Sequence, residues 1–376
     1  MKHSHRALRA AGSAAVVIGT VVVAATPAYA STSTQVPVAS TGFFGGFSDV
    51  TVVTPTDGWA VGGNGNGVIQ RFNGTSWNVA ASPDLLDGGA NTWAVLSGVD
   101  SVSASSAFAV GRATGAGNTG QSAVAVRWNG SAWSRVAVPR PAGANTSLAS
   151  VKQFSPSNVW AVGDTSSSIA FRGTLAMHYN GSTWTTASTP SPGTKNNTLT
   201  SIDGTAADNI WAVGYSLNLP YGNRVRQSVI LHYDGTAWTQ VASPNNGSTY
   251  LYDVAAVSPS DAWAVGSGST GGAFVLRWNG TAWNSVAAPP LASLSSVTAR
   301  SSNDVWVAGA DANSAPALAH WTGAGWSVTP VAVTGGVGLP LLYQVTVVDA
   351  NTEWAVGSQW EGTTGQSSSI AFRIVG

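Results

Sequence analysis

The sequence predicts an all-β fold, a seven-bladed β-propeller whose blades are four-stranded antiparallel sheets. A Trp-Ala-Val-Gly core recurs seven times at intervals of 43 to 52 residues, once with Phe for Trp and once with Val and Ala exchanged. One apolar residue stands nine positions before each core, and another stands twelve positions before it. A repeat of this length with four short apolar runs is typical of propeller blades. The cores begin at Trp59, Phe108, Trp160, Trp211, Trp263, Trp306 and Trp354.

The copy at residues 251–289 shows the four predicted strands, labelled a to d from the centre of the ring outward. Ser-Pro-Ser-Asp and a Gly/Ser stretch separate the first three apolar runs. The third and fourth runs meet at Asn279-Gly280. Because both central residues of a type I′ turn need a positive φ, this dipeptide predicts a tight hairpin. A β-helix or a sandwich fits less well, since β-helix coils are much shorter and sandwiches do not repeat.

The last copy ends after its third strand, and the start of the mature chain offers a fourth. Residues 369–376 align with strand c, and no strand d follows. Residues 34–36 (Thr-Gln-Val) match residues 239–241 on strand d of the fourth copy. We therefore predict that an N-terminal strand within residues 32–40 completes the last blade and closes the ring. Closure removes exposed sheet edges.

Residues 1–30 have the features of a secretory signal peptide. Three basic residues precede an apolar run from Ala14 to Ala25, and residues 28–30 (Ala-Tyr-Ala) match a small-residue cleavage site. We predict a signal peptide at 1–30, a single propeller domain at 31–376, and secretion to the extracellular space. The chain has no Cys, which for a secreted domain of this size favours a bacterial exoprotein with a large core.

The charge of the chain argues against two classes of partner. Only 9% of residues are charged. Three of the 16 basic residues lie in the first 30, which leaves 13 against 16 acidic residues in the predicted mature chain. A nucleic-acid-binding or anionic-membrane surface needs a basic face. We therefore expect neither nucleic acid as a partner nor membrane insertion.

Most of the 17 Trp are predicted to pack blade against blade, because a residue repeated at one place in every blade serves the fold. Fifteen of them lie on strands b, c or d in register. A cation also recurs on strand c, where we expect it to stack on an aromatic ring or to hydrogen-bond between blades. The cations are Arg71, Arg127, His178, His232, Arg277, His320 and Arg373. Asp or Asn recurs before strand b and is interpreted as a turn former.

Residues outside the repeat are the candidates for function, since loops that break a repeat usually bind. Trp93 and Trp360 are the two Trp out of register. Trp93 lies in the insert between blades one and two, and Trp360 lies between strands b and c of blade seven. The b–c loops and the d–a crossovers emerge on one face of a propeller, so aromatic and polar side chains should meet there. The predicted ligand-binding residues are Trp93, Trp360, Glu361, Tyr215, Tyr221, Arg224, Asn118 and Asp164.

Catalytic motifs are scarce. The sequence has no Gly-x-Ser-x-Gly, no His-Glu-x-x-His and no phosphate loop. The hairpins share a Gly-to-Trp step with sialidase Asp boxes but lack the Asp. Asp87, Asp164 and Glu361 could supply a glycosidase carboxylate pair, yet nothing in the sequence brings two of them together. We expect a protein that is not an enzyme and that uses no cofactor and no metal.

The Asp-Val-Trp-Ala-Val-Gly and His/Arg-Trp-Asn-Gly-Thr-x-Trp repeats resemble those of secreted actinobacterial β-propeller proteins along the whole mature chain. Propellers of this kind include the lectin subunits of the antibacterial particles called umbrella toxins. The resemblance implies a non-catalytic glycan-binding subunit that joins other secreted protein subunits in a larger complex. It assigns no ligand residues, because the repeat motif is structural.

Three functions remain open at the level of sequence. The leading hypothesis is a lectin that recognises cell-surface or cell-wall glycan, because exposed rings among amides and carboxylates suit sugars. The alternatives are a protein-interaction scaffold that binds no sugar and a glycan-cleaving enzyme. The fold does not decide among them.

Overall fold

The fold was analysed on a computed structural model. The structure describes residues 31–41, 45–63, 65–116, 120–141, 144–168, 171–193, 195–218, 225–244, 247–268, 271–334, 338, 340–362 and 366–375. The predicted signal peptide lies outside these ranges. In the described ranges no helix has the length and apolar character needed to cross a bilayer.

Seven four-stranded antiparallel sheets form a closed ring, which confirms the seven-bladed propeller. Each blade packs against the next, and the seventh packs against the first. Blade 1 consists of β2 Phe47–Thr54, β3 Asp57–Gly62, β4 Val68–Phe72 and β5 Trp77–Val79. Blade 2 consists of β6 Asn91–Ser103, β7 Ser106–Gly115, β8 Gln121–Trp128 and β9 Trp133–Val136. Blade 3 consists of β10 Asn145–Ser155, β11 Asn158–Ser168, β12 Phe171–Tyr179 and β13 Trp184–Ala187. Blade 4 consists of β14 Lys195–Ala206, β15 Asn209–Asn218, β16 Val225–Tyr233 and β17 Trp238–Gln240. Blade 5 consists of β18 Tyr250–Ser258, β19 Asp261–Ser267, β20 Ala273–Trp278 and β21 Trp283–Val286. Blade 6 consists of β22 Ser293–Ser301, β23 Asp304–Ala310, β24 Pro316–Trp321 and β25 Trp326–Pro330. Blade 7 combines β26 Pro340–Asp349, β27 Thr352–Glu361 and β28 Gln366–Val375 with β1 Thr32–Gln35 from the start of the chain.

The N-terminal strand closes the ring as predicted. β1 pairs antiparallel with β28, with Thr34 opposite Arg373. The chain then crosses to blade 1, where Trp77 N donates to Pro37 O and Ala39 N donates to Trp77 O, both at 2.9 Å. One short segment therefore supplies the outer strand of the last blade and fastens that blade to the first.

Tryptophan pairs join neighbouring blades, as the repeat predicts. The strand-b aromatic of one blade meets the strand-d Trp of the next blade edge to face, a favourable geometry for aromatic rings. The ring centroids are 5.0 to 6.2 Å apart and the planes lie 76° to 89° from each other at six interfaces: Trp59–Trp133, Phe108–Trp184, Trp160–Trp238, Trp211–Trp283, Trp263–Trp326 and Trp354–Trp77. The outer strand of blade 7, β1, has no Trp, and the structure shows no such edge-to-face partner for Trp306 among the described residues at the interface of blades 6 and 7.

Six of the seven strand-c cations stack on an aromatic ring as predicted, and the Asp or Asn residues at the start of strand b have a second role that the sequence did not indicate. Nε2 of His178 lies 2.9 Å from Asn158 Oδ1, and burial lowers the pKa of His178. Arg277 forms two hydrogen bonds to Asp261 at 2.8 and 3.1 Å. The Asp or Asn that was predicted to form the turn before strand b therefore also holds the strand-c cation over the strand-b aromatic ring. The stacked cation–ring pairs are Arg71–Trp59, Arg127–Phe108, His178–Trp160, His232–Trp211, Arg277–Trp263 and His320–Trp306.

The c–d hairpins form at the predicted Asn-Gly positions, but the turn type was wrong. Trp278 pairs with Trp283, so four residues form the loop. Asn279 Oδ1 accepts hydrogen bonds from the backbone N–H groups of Thr281 and Ala282 at 3.0 and 2.9 Å. Only Gly280 has a positive φ, of 92°. The Asn side chain, rather than a left-handed Asn backbone, stabilises the turn.

Carboxylates on the inner strands tether the blades around the central channel, whose cavity is about 280 Å³. Each accepts a hydrogen bond from a backbone N–H of the following blade. The bonds are Val99 N to Asp49, Gln153 N to Asp100, Ala256 N to Asp203 and Val297 N to Asp253, at 2.7 to 2.8 Å. Burial raises the pKa of Asp49, Asp100 and Asp253, against the lowering effect of these bonds.

Candidate functional site

We call the upper face the end of the ring where strand b turns into strand c and strand d crosses to the next blade. Blades 2 to 4 extend furthest there among the blades made of consecutive strands. Their inner strands have 13, 11 and 12 residues, compared with 8 in blade 1 and 9 in blades 5 and 6. The residues beyond the repeat therefore continue the sheets upward in these blades.

A pocket of about 600 Å³ opens between these extended strand ends. Its lining consists mainly of amide, hydroxyl and charged side chains, with one aromatic ring. A polar pocket with a ring at its side can hydrogen-bond a ligand and stack on it. The lining residues are Thr114, Gly120, Gln121, Asn145, Thr146, Asp164, Ser166, Arg172, Asn196, Thr198, Tyr215, Leu217 and Arg226.

Three tyrosines continue the aromatic side of the pocket toward blade 5. The Tyr215 and Tyr250 rings lie 5.1 Å apart at 71°, and Tyr250 stacks on Tyr252 at 6.0 Å and 19°. Tyr252 is 38% exposed. Burial raises the pKa of Tyr252, and the phenol is therefore neutral near pH 7. These rings form a ledge of apolar faces with polar hydroxyl tips beside the pocket.

Charged side chains of blade 3 also line the pocket. Arg172 Nη1 lies 3.3 Å from the Asp164 carboxylate. Burial raises the pKa of Asp164, while the positive charges of Arg172 and Arg112 lower it. The guanidinium of Arg112 lies 5.1 Å above the Trp93 ring. Trp93, Arg112, Asp164 and Arg172 thus form a connected series from blade 2 to blade 3.

The structure brings three of the predicted site residues to adjacent blades. Asp164 and Tyr215 line the pocket, and Trp93 lies under Arg112, whose charge acts on Asp164. Trp93 lies inside β6, paired with Thr114, so its assignment to a loop insert was wrong: the inner strand simply begins earlier. Trp360 lies inside strand b of blade 7, paired with Ser367, so its assignment to the loop between strands b and c was wrong. Its side chain is 47% exposed. Blade 7 adjoins blades 6 and 1 and not the pocket blades.

Four of the predicted residues have side chains outside the described part of the chain. Asn118, Tyr221 and Arg224 lie between the described ranges. Glu361 is the last residue of β27, paired with Gln366, and only its backbone is described. Their roles remain predictions.

Several pocket residues were missed by the sequence reasoning. Arg172, Arg226 and Gln121 stand in the first residues of strand c, and Asn145 and Thr198 stand near the start of strand a. One signal was available. Six of the 13 basic residues of the predicted mature chain fall in blades 2 to 4 where strand b leads to strand c or where strand d leads to the next strand a; they are Arg112, Arg140, Arg172, Lys195, Arg224 and Arg226. The prediction of site residues from aromatic rings did not use this uneven distribution.

A second groove, of about 810 Å³, lies near the c–d hairpins of blades 1 and 2. Its rings include Trp59, Trp128 and Trp133, which are already buried between the two blades. Its charged pair, Arg71 and Asp57, is satisfied by two hydrogen bonds at 2.7 and 3.0 Å. This groove therefore offers few free polar groups to a ligand. In the described ranges no group of three or more metal-ligating side chains comes together.

The chain is similar in fold to known propellers. Neither a family model nor a curated protein matches the sequence. Similar solved structures include YCF48 bound to D1 peptide (14% identity, TM-score 0.57, covering 92% of this chain and 97% of that one). The WD40 propeller domain of Doa1 is similar at 10% identity and a TM-score of 0.59 over 91% and 96% of the two chains. A GH74 xyloglucanase from Xanthomonas campestris is similar at 12% identity and a TM-score of 0.51 over 90% and 55%. At these identities the similarity shows the fold alone.

Proposed function

We propose that the chain is a secreted, non-catalytic, carbohydrate-binding propeller whose upper face recognises cell-surface or cell-wall glycan. The observation that supports this most is the pocket between blades 2 and 4, where amides and hydroxyls face an adjoining ledge of tyrosine rings. The apolar face of a sugar stacks on an aromatic ring, and its hydroxyls exchange hydrogen bonds with amides and carboxylates. The N-terminal segment supports secretion, and the likeness of the repeats supports a role as the targeting subunit of a toxin particle.

The test is binding of the purified chain to an array of neutral and acidic bacterial glycans. Tyr215→Ala and Trp93→Ala should weaken binding at least about fivefold while melting normally, because truncating a central aromatic anchor costs ~1 kcal/mol or more. Trp360→Ala is the matched control, since it removes an exposed ring from a blade outside the pocket. Loss of binding in Trp360→Ala alone would instead assign the site to blade 7.

A protein-interaction scaffold would give a different result. The chain would bind no glycan and would recover a stoichiometric protein partner from culture supernatant without sugar. Release of sugar product from a polysaccharide would contradict the non-catalytic part of the proposal, and loss of that activity in Asp164→Asn would place the chemistry in the pocket.

A further inference from the structure

Basic side chains surround the pocket on three blades. Arg172 and Arg226 line it, and Asp164 is the one carboxylate among the described lining residues. Arg112 is close enough to Asp164 and Arg172 for their charges to act on it. Arg140 Nη1 donates to Ser122 Oγ at 3.2 Å, beside the lining residue Gln121. The described rim and lining thus carry more positive than negative charge, although the predicted mature chain as a whole has 13 basic and 16 acidic residues.

Arg226 differs from the ion-paired cations of the blade bodies. In the blade bodies Arg71 and Arg277 each form two hydrogen bonds to a carboxylate, and Lys152 lies 2.7 Å from Asp203. Arg226, in contrast, has no carboxylate partner among the described residues. Its guanidinium is held over the Tyr250 ring at 4.3 Å. Stacking fixes the guanidinium plane while leaving its N–H donors free for a ligand, which is the geometry in which Arg recognises carboxylate and phosphate.

The ion pair of Arg172 with Asp164 is weak enough to exchange. Its two N–O distances are 3.3 and 3.4 Å, and the Arg172 side chain is 47% exposed. Burial lowers the pKa of Arg112, the charge of Asp164 raises it, and the positive charge of Arg172 lowers it by less. Arg112 and Arg172 are thus close enough to repel each other. An anion that pairs with Arg172 would reduce this repulsion.

We propose that the pocket selects an acidic glycan, in which a carboxylate or phosphate substituent pairs with Arg172 and Arg226 while a sugar ring packs on the tyrosine ledge. This inference rests on the proposed function, since it names the class of glycan bound at the same site. It makes binding dependent on a charge that neutral polysaccharides lack.

The experiment compares polymers that differ only in charge. Polygalacturonate is measured against its methyl ester, and phosphorylated mannan against the same mannan after phosphate removal. We expect the charged member of at least one pair to bind at least tenfold more tightly than the uncharged member. That preference should shrink as the NaCl concentration rises, because the screening length between exposed charges is ~10 Å at 0.1 M salt and shortens as salt is added. Which pair shows the preference identifies the substituent as carboxylate or phosphate.

Two arginine variants and one control tie the preference to the pocket. Arg226→Gln and Arg172→Gln should each weaken binding of the preferred acidic polymer about tenfold, the equivalent of ~1.4 kcal/mol. Arg135→Gln is the control, because Arg135 is not among the lining residues and is paired with Asp87, with Nη1 and Oδ1 2.6 Å apart. The affinity of this variant for the acidic polymer should be unchanged.

The failures of the two proposals can be distinguished. Equal affinity for the charged and uncharged polymers, with binding still lost in Tyr215→Ala, would overturn the acidic-glycan inference and leave the lectin function intact. Unchanged affinity in both arginine variants would overturn it in the same way. Poly-glutamate carries carboxylates without sugar. If poly-glutamate binds as tightly as polygalacturonate and the chain binds no glycan on the array, both proposals fail. The ligand would then be an acidic protein segment.

Discussion

Blades 3 and 4 differ from blades 5 and 6 at one end only. Below the Gly of the Trp-Ala-Val-Gly core the two pairs share register, ring contacts and the cation over the Trp. The whole of strand b has 11 and 10 residues in blades 3 and 4 but 7 residues in blades 5 and 6, and the additional residues all follow this Gly. The pocket and its cations lie on the longer side. Packing therefore fixes the lower half of every blade, whereas the upper half varies because the core does not depend on it.

The sharpest test of this division compares two residues of the same strand. Trp211 in β15 is 1% exposed and lies within 5.1 Å of Trp278, Trp283 and His232, as centroid distances. Trp211→Ala should lower the free energy of unfolding by about 3–5 kcal/mol, because it leaves a large cavity between blades. Tyr215→Ala, four residues on, should cost less than ~1 kcal/mol while weakening glycan binding. Denaturant unfolding measures the first quantity, and equal losses in the two variants would contradict the division.

Deletion of residues 31–41 tests whether the closing strand stabilises the fold as the repeated packing of the blade bodies does. The deletion removes β1 from the edge of β28, together with three backbone hydrogen bonds that the following residues Val36, Pro37 and Ala39 make with blades 7 and 1. At ~1 kcal/mol for each lost bond, these three alone should lower the free energy of unfolding by about 3 kcal/mol, and loss of the β1–β28 pairing adds to that. Thermal melting should therefore move down by several degrees. A truncated chain that keeps its melting temperature would show that the closing strand is dispensable.

A buried carboxyl in blade 7 gives the blade bodies a pH dependence. Glu353 stands just before the strand-b Trp, where the other blades have Gly, Ala, Val or Ile. Its side chain is 2% exposed and receives one hydrogen bond, from Arg300 Nη2 at 3.2 Å. Burial raises the pKa of Glu353 to about 7, against the lowering effect of Arg300, while Asp304 and Asp349 raise it further. The folded protein therefore keeps a proton that the unfolded chain loses above pH ~4.5.

Stability should consequently fall as the pH rises from about 4.5 to 7 and stay lower above that range. The contribution of this residue is up to ~3 kcal/mol, at ~1.4 kcal/mol for each unit between the two pKa values. Glu353→Gln has no proton to lose and still offers Arg300 an acceptor. Its melting temperature should change less with pH than that of the parent, and it should be the more stable protein at pH 8. Parallel pH profiles would contradict the assignment, since the channel carboxyls are common to both.

The sequence predicted the blade bodies because a residue that packs between blades must recur in every blade. Trp59 and its six equivalents, the strand-c cations and the closing strand all follow from that requirement. The pocket could be predicted only in part. Asp164 and Tyr215 stood out as departures from the repeat, but Arg226 is placed by the ring of Tyr250 on the next blade. A contact that occurs at only one of the seven interfaces between blades does not recur along the chain, so the repeat in the sequence does not reveal it.

The smallest expected effect concerns the ion pair in the pocket. Arg172 is half exposed and its bond to Asp164 is long, at 3.3 Å, so solvent and salt screen the attraction. Exposed ion pairs contribute ~0–1 kcal/mol. Arg172→Gln should therefore change the free energy of unfolding by less than ~1 kcal/mol, although the same variant is expected to weaken binding of acidic glycan. Arg277→Gln is the counterpart in a blade body: it breaks two hydrogen bonds to a nearly buried Asp261 and its stacking on Trp263. The second variant should be clearly less stable than the first in urea, because only it leaves a buried carboxylate without its partner.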